Sequence, residues 1–163
     1  MIKIAVYAGS FDPFTKGHED VLLQSIKLFD KVFILVCDNP LKQSKSLYNR
    51  IDIIQKYIDT KELSNTVTVQ DCLSSEATVD FASDNKAPFL IRGIRTISDF
   101  EYEMQIASMN KLLSADITTV YFTPSTKNQF TSSSMVREFL RLKKSIEELV
   151  PEEIIKEVKK LYE

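Results

Sequence analysis

Apolar and polar positions change period in a regular way along the chain. Ile2 to Ala8 is a short run rich in apolar and β-branched residues that ends at Gly9. Val32 to Val36 is apolar at every position, as a strand covered on both faces should be. Between them, from His18 to Phe29, apolar residues recur at Val21, Leu22, Ile26 and Phe29, which predicts a helix. A second helix is predicted over Leu47 to Ile58 through Ile51, Ile54 and Ile58. A short strand at Val67 to Val69, a short helix at Thr78 to Asn85 and a buried strand at Pro88 to Ile91 follow. Ser98 and Glu101 stand at capping-box spacing and open a long helix to Leu113. Thr118 to Phe122 reads as a strand stopped by Pro124 and Ser132 to Leu142 as a helix, while Pro151, with Glu152 and Glu153, begins the last one. This alternation predicts an α/β fold of Rossmann-like, doubly wound type: a five-stranded parallel sheet with helices on both faces. No repeat, low-complexity tract or linker interrupts it, so 1–163 reads as a single domain.

Composition narrows the chemistry. A chain of 163 residues can bury about 70% of its unfolded surface, so it needs neither disulfides nor a structural metal. A formal net charge of -2 argues against a broad electrostatic grip on nucleic acid or an anionic membrane. Any anion must then be held by a few positioned cations and backbone amides. No apolar run approaches the roughly 18 residues of a membrane span, and the N-terminus reads as a strand rather than a signal peptide. Cys37 and Cys72 are too few for a disulfide scaffold or a zinc site, and free thiols suit a reducing cytoplasm.

In such folds ligands bind beyond the carboxyl ends of the strands. After the first strand come Gly9 and Ser10, then Gly17 and His18 at a helix start whose free N–H groups favour an anion. His18 is the only histidine, and there an imidazole can donate to a phosphoryl oxygen. Lys42 lies in a loop after the second strand, where a lysine is more often solvated than functional. Arg92, Gly93, Ile94 and Arg95 continue the fourth strand into the crevice. Paired guanidiniums there hold phosphates, or form ion pairs with Asp99, Glu101 or Glu103. Thr131, Ser132, Ser133 and Ser134 precede another helix, and since one hydroxyl suffices as a cap, the series reads as a second anion cradle.

The segment from Gly9 to His18 resembles the (T/H)xGH signature of the nucleotidylyltransferase superfamily, with Thr15 in the first position. Thr131 to Arg137 resembles its second signature. The Arg92–Arg95 stretch, with Asp99 to Met104 and Met109–Asn110, is similar to the phosphopantetheine adenylyltransferase family of coenzyme A biosynthesis, rather than to sister transferases acting on nicotinamide mononucleotide or polyol phosphates. The resemblance implies transfer of AMP from ATP to 4'-phosphopantetheine, with magnesium carried mainly on the ATP phosphates. It assigns catalysis to His18, Lys42 and Arg95, and the acceptor to Ser10, Lys42, Thr78 and Arg92. ATP falls to Ser10, Phe11, His18, Gly93, Ile94, Arg95 and Glu103, together with Asn128, Gln129, Phe130 and Thr131 to Ser134. Asn110 and Glu138 fall near the pantetheine amides. Many members carry Thr at the position of Ser10, an aliphatic residue at Thr131 and an aromatic one at Asn128. The resemblance also implies a cytoplasmic homohexamer with feedback binding of coenzyme A, and neither nucleic acid nor membrane as partner.

Overall fold

Every strand forms where the sequence is apolar on alternate or successive positions, and each ends where glycine or a polar residue takes over. In the computed structural model, which describes residues 2–38, 45–72 and 77–162, these are β1 (Ile4–Gly9), β2 (Lys31–Val36), β3 (Val67–Asp71), β4 (Phe89–Gly93) and β5 (Thr118–Phe122). All pair in parallel, in the order β3-β2-β1-β4-β5. The helices are α1 (Lys16–Ser25), α2 (Leu47–Thr60), α3 (Thr78–Asp84), α4 (Ile97–Leu113), α5 (Ser133–Arg141) and α6 (Ile155–Tyr162). The expected doubly wound parallel sheet is therefore present. β1 is central, and after β3 the chain crosses to its other side to lay down β4. The strand order reverses at β1, and that reversal opens a crevice at its carboxyl end.

The pleat sends alternate residues to opposite faces. Ala5, Tyr7, Ile34 and Ile91 pack under Val21 and Leu22 of α1, Ile54 and Ile58 of α2, Val136 of α5 and Val158 of α6. Val6, Phe33, Leu35 and Leu90 pack on the other side against Val79, Phe81 and Ala82 of α3. By contrast α4 buries only Glu103 and exposes apolar side chains along its length, Ile97 at 80% and Leu112 at 88%.

Element boundaries differ from the expectation where side chains compete for the backbone. α1 starts at Lys16, capped by Thr15, so His18 is its third residue rather than its first. It stops at Ser25, and Leu28 and Phe29 donate their N–H groups back to the Ser25 carbonyl in tight turns. The capping box expected at Ser98 and Glu101 does not form. Thr96 caps α4 instead, its hydroxyl accepting from Asp99 N at 3.1 Å. The Asp99 carboxylate reaches back to Arg95 N at 3.2 Å, which settles the competition in favour of the hydroxyl two residues earlier. β4 continues through Arg92 and Gly93, and a 3-10 turn at Glu152–Ile154 precedes α6.

Candidate active site

A cavity of about 260 Å³ lies at the carboxyl end of β1, walled by β4, the start of α1 and the start of α5. The backbone turns out of β1 through Phe11, whose φ of 44° is left-handed. A Cβ at Gly9 would stand 3.1 Å from the Phe11 ring, so glycine there lets the ring fold back over the strand end. The ring is buried, edge-on to Tyr7 and to His18 with centroids 5.2 and 5.0 Å apart.

The imidazole of His18 is fixed from one side by its own helix cap. Its Nδ1 accepts from Thr15 N at 3.1 Å and lies 3.1 Å from the Thr15 hydroxyl, which in turn accepts from His18 N at 3.4 Å. With Nδ1 accepting, a neutral ring carries its proton on Nε2. Burial, with Arg95 nearby, pushes the His18 pKa down to about 3. Between the flanking rings of Phe11 and Phe14, His18 is therefore a neutral N–H donor rather than a cation or base at physiological pH.

Two guanidiniums face it from β4 and the turn beyond. Arg92 donates bidentately to Glu103, Nε to Oε2 at 2.6 Å and Nη2 to Oε1 at 2.5 Å, and its Nη1 donates to Ala8 O at 3.1 Å. Burial works against its charge, but the Glu103 carboxylate outweighs that and raises its pKa. Arg95 pairs with Asp99 at 3.3 Å and donates to Thr131 O at 3.4 Å. The ion pairs expected as the alternative role of these arginines are thus present, and both side chains still line the cavity.

The opposite wall is the start of α5. Ser132 supplies its cap, accepting from Met135 N at 3.1 Å. Ser133 donates to Pro13 O at 2.8 Å, joining this helix start to the loop after β1. The Ser134 hydroxyl accepts from Arg137 at 3.2 Å. A Cβ at Gly17 would meet Thr131 O at 3.1 Å, so glycine allows the two helix starts to approach. Both helix starts border the cavity through Gly17, His18 and Ser132 to Ser134, and the positive end of each helix dipole favours an anion there.

Ser10, Phe11, His18, Arg92, Gly93, Arg95, Glu103 and Thr131 to Ser134 are brought together around the cavity. Lys42 lies outside the described residues. Ile94 leaves the wall and donates its N–H to Phe122 O at 2.8 Å. Asn128 is buried against Asp20, Gln129 bonds the Arg95 carbonyl at 3.3 Å, and Phe130 is exposed, so none of the three lines the cavity. Thr78 and Asn110 line a separate small cavity of about 90 Å³, with Arg92 forming part of both walls. Glu138 instead pairs with Arg141 on the surface.

Tyr7, Asp12 and Arg137 also line the main cavity; Tyr7 and Asp12 escaped the sequence reading, and Arg137 entered it only as the end of the second signature, with no role assigned. Arg137 was legible in principle, standing one helical turn after Ser133. Asp12 gave no local signal: it accepts from Tyr162 Oη at 2.5 Å and pairs with Arg137 at 3.6 Å, partners remote in sequence. Arg50 was missed as well. Its fully buried guanidinium donates to the carbonyls of Ser10, Cys37 and Lys45 and pairs with Asp38. Cys37 and Cys72 follow β2 and β3 side by side, and burial, aided by Cys72, pushes the Cys37 thiol up to about 12.

Residues 6–139 match the cytidylyltransferase-like family. The chain is 38% identical over 155 residues to the phosphopantetheine adenylyltransferase of Nautilia profundicola, covering 94% of this chain and 97% of that one. It is 40% identical over 161 residues to the phosphopantetheine adenylyltransferase of Desulfatibacillum aliphaticivorans, covering 98% and 89%. A solved structure of nicotinic acid mononucleotide adenylyltransferase from Plasmodium falciparum, complexed with NaAD, superposes with a TM-score of 0.70 at 18% identity, covering 98% and 96%. At that identity the likeness speaks to the fold.

Proposed function

The chain belongs to the cytidylyltransferase-like family and, within it, to the phosphopantetheine adenylyltransferases, and from that premise we propose how its cavity carries out adenylyl transfer. ATP and 4'-phosphopantetheine are the substrates; dephospho-coenzyme A and pyrophosphate are the products. The whole of 1–163 acts as one domain, in the cytoplasm, and among the described residues no helix is long and apolar enough to cross a membrane.

The observation that carries the mechanism is the character of the cavity's polar groups. It gathers a neutral imidazole donor, the three guanidiniums of Arg92, Arg95 and Arg137 and two helix starts, while both of its carboxylates are engaged, Glu103 by Arg92 and Asp12 by Tyr162 and Arg137. Among the described residues the cavity offers no free general base, and this reaction needs none. The nucleophile is a phosphate monoester whose second pKa is about 6, so it is already largely dianionic at neutral pH. The site instead aligns two anions that repel and stabilises the charge that develops on the α-phosphoryl group. His18 Nε2–H donates to that group, and Arg95 and the amides of the α5 start hold the polyphosphate. Ser10, Lys42 and Arg92 hold the acceptor phosphate for in-line attack. Arg92 also walls the small cavity lined by Thr78 and Asn110, into which the pantetheine arm extends.

Among the described residues no group of three or more His, Cys, Asp or Glu side chains is placed to hold a metal. With Asp12 and Glu103 already engaged, this donor set does not fit a protein-held magnesium ion. Magnesium enters as part of the substrate, bound by the phosphates of ATP and by water. The exposed apolar residues of α4 are the face that a homo-oligomer would cover, with a hexamer as the assembly implied by the resemblance. Purified protein with ATP, magnesium and a panel of phosphorylated acceptors tests the reading through pyrophosphate release. Preference for nicotinamide mononucleotide over phosphopantetheine would overturn the acceptor assignment.

A further inference from the structure

Gly17, Asp20 and Gln24 fall on one face of α1, at i, i+3 and i+7, and all three meet the loop that runs from β5 to α5. Gln24 donates to Thr123 O at 2.9 Å. The carboxylate oxygen Oδ2 of Asp20 accepts from Ser125 N at 3.1 Å, Ser125 Oγ at 2.6 Å and Asn128 Nδ2 at 2.7 Å. Gly17 lies against the Asn128 and Thr131 carbonyls. Among the described residues no lysine or arginine pairs with Asp20, so its charge is answered by the hydrogen-bond donors of this loop.

The loop passes the constraint on toward the cavity. Asn128 N donates to Ser125 O at 2.9 Å and Thr131 N to Asn128 O at 3.0 Å, so the turn held by Asp20 sets where Thr131 stands. Thr131 to Ser134 then form the cavity wall. Asn128 is buried, and its Oδ1 finds no partner among the described residues. The bond from Nδ2 to Asp20 is therefore the side-chain hydrogen bond that orients it. The helix that carries His18 is in this way tied to the hydroxyl-bearing wall opposite.

We propose that Asp20 is a positioning residue for the ATP half of the site: its carboxylate locks the 125–128 turn onto α1 and so fixes the Thr131–Ser134 wall relative to His18. This role rests on the adenylyl-transfer reading above. It acts through the loop and touches no reacting atom.

The test compares Asp20→Ala, Asp20→Asn and Asn128→Ala with the wild-type chain, measuring ATP binding by calorimetry, steady-state kinetics with phosphopantetheine, and thermal unfolding. A misplaced wall should lower kcat about ten- to a hundredfold and weaken ATP binding in Asp20→Ala, with phosphopantetheine affinity little changed. Asp20→Asn, which keeps an acceptor oxygen at the same place, should recover most of the loss. Combining Asp20→Ala with Asn128→Ala should add little to Asp20→Ala, because both cut the same tie. An Asp20→Ala variant that binds and uses ATP as the wild type does would overturn the role while leaving the adenylyl-transfer reading intact. So would equal losses for ATP and phosphopantetheine accompanied by a collapse in Tm, which would make Asp20 a stability residue only. A wild-type chain that transfers no adenylyl group would remove the reading itself, and this role with it.

Discussion

His18 Nδ1 and the backbone N–H of Thr15 are joined at 3.1 Å, so the helix cap that starts α1 also decides which ring nitrogen of His18 faces the cavity with a proton. Helix capping and the orientation of the imidazole are here a single arrangement. His18→Ala should lower kcat by roughly 10²–10³, the usual loss for one preorganised oxyanion donor. ATP affinity should change far less. Turnover within a few-fold of wild type would show that Nε2 does not donate in the transition state.

A pH profile follows from the same buried ring. The folded pKa of His18 is pushed down to about 3, below the roughly 6.5 of an unfolded histidine. The unfolded chain therefore takes up a proton as pH falls below about 6.5 and the folded chain does not, so acid costs stability over that window. Urea midpoints measured from pH 7 to pH 4 should fall less steeply for His18→Gln than for wild type. The rate profile should show no inflection from His18 near neutrality; the limb near pH 6 should follow the acceptor phosphate. An imidazole titrating near pH 6.5 in nucleotide-free protein by NMR would contradict both expectations.

Arg92 binds Glu103 through both ends of its fork, which holds the guanidinium ready for an anion. Arg92→Ala should weaken phosphopantetheine binding roughly ten- to a hundredfold, since a charge-assisted phosphate contact contributes about 1.5–3 kcal/mol. It should also lower Tm by stranding the largely buried Glu103 carboxylate. Arg92→Lys keeps the charge but loses the fork, and should recover affinity only in part. Lys42→Ala should weaken acceptor binding without the loss of Tm. Calorimetric ATP binding should be much less affected in all of them. Loss of ATP affinity with normal phosphopantetheine binding would mean that the two halves of the site are reversed.

Cys37, with its thiol pushed up to about 12 chiefly by burial, should react slowly with iodoacetamide at pH 8 because little thiolate is present. A double Cys37→Ser, Cys72→Ser variant should keep most of its activity. Activity that instead tracked zinc content would assign these thiols to a metal.

Much of the architecture was legible because it is local. The uniform apolar run at Val32–Val36 and the helical spacing from Val21 to Ile26 each declare an element within a few residues, and the order of elements then fixes where the strand ends lie. The positions of Ser10, His18, Arg92 and Arg95 at those ends follow from that order. Contacts that join distant segments were not legible. Asp12 and Tyr162 are separated by 150 positions and Asp20 and Asn128 by 108, so neither pair leaves a periodic trace. The cap of α4 was misread because Thr96 and Ser98 both offer a suitable hydroxyl, and only the reach of Asp99 to Arg95 N decides between them.

The buried guanidinium of Arg50 has a consequence for how the chain is made. It reaches the Ser10 carbonyl across 40 positions of sequence and also grips Cys37 and Lys45. The loop after β1 thus leaves the ribosome well before the arginine that will hold it in shape. A nascent chain that has paired its first strands still lacks the side chain that closes the end of β1. Translation must therefore deliver α2 before the loop after β1 has its final support, and a truncated chain ending before Arg50 would be left without it.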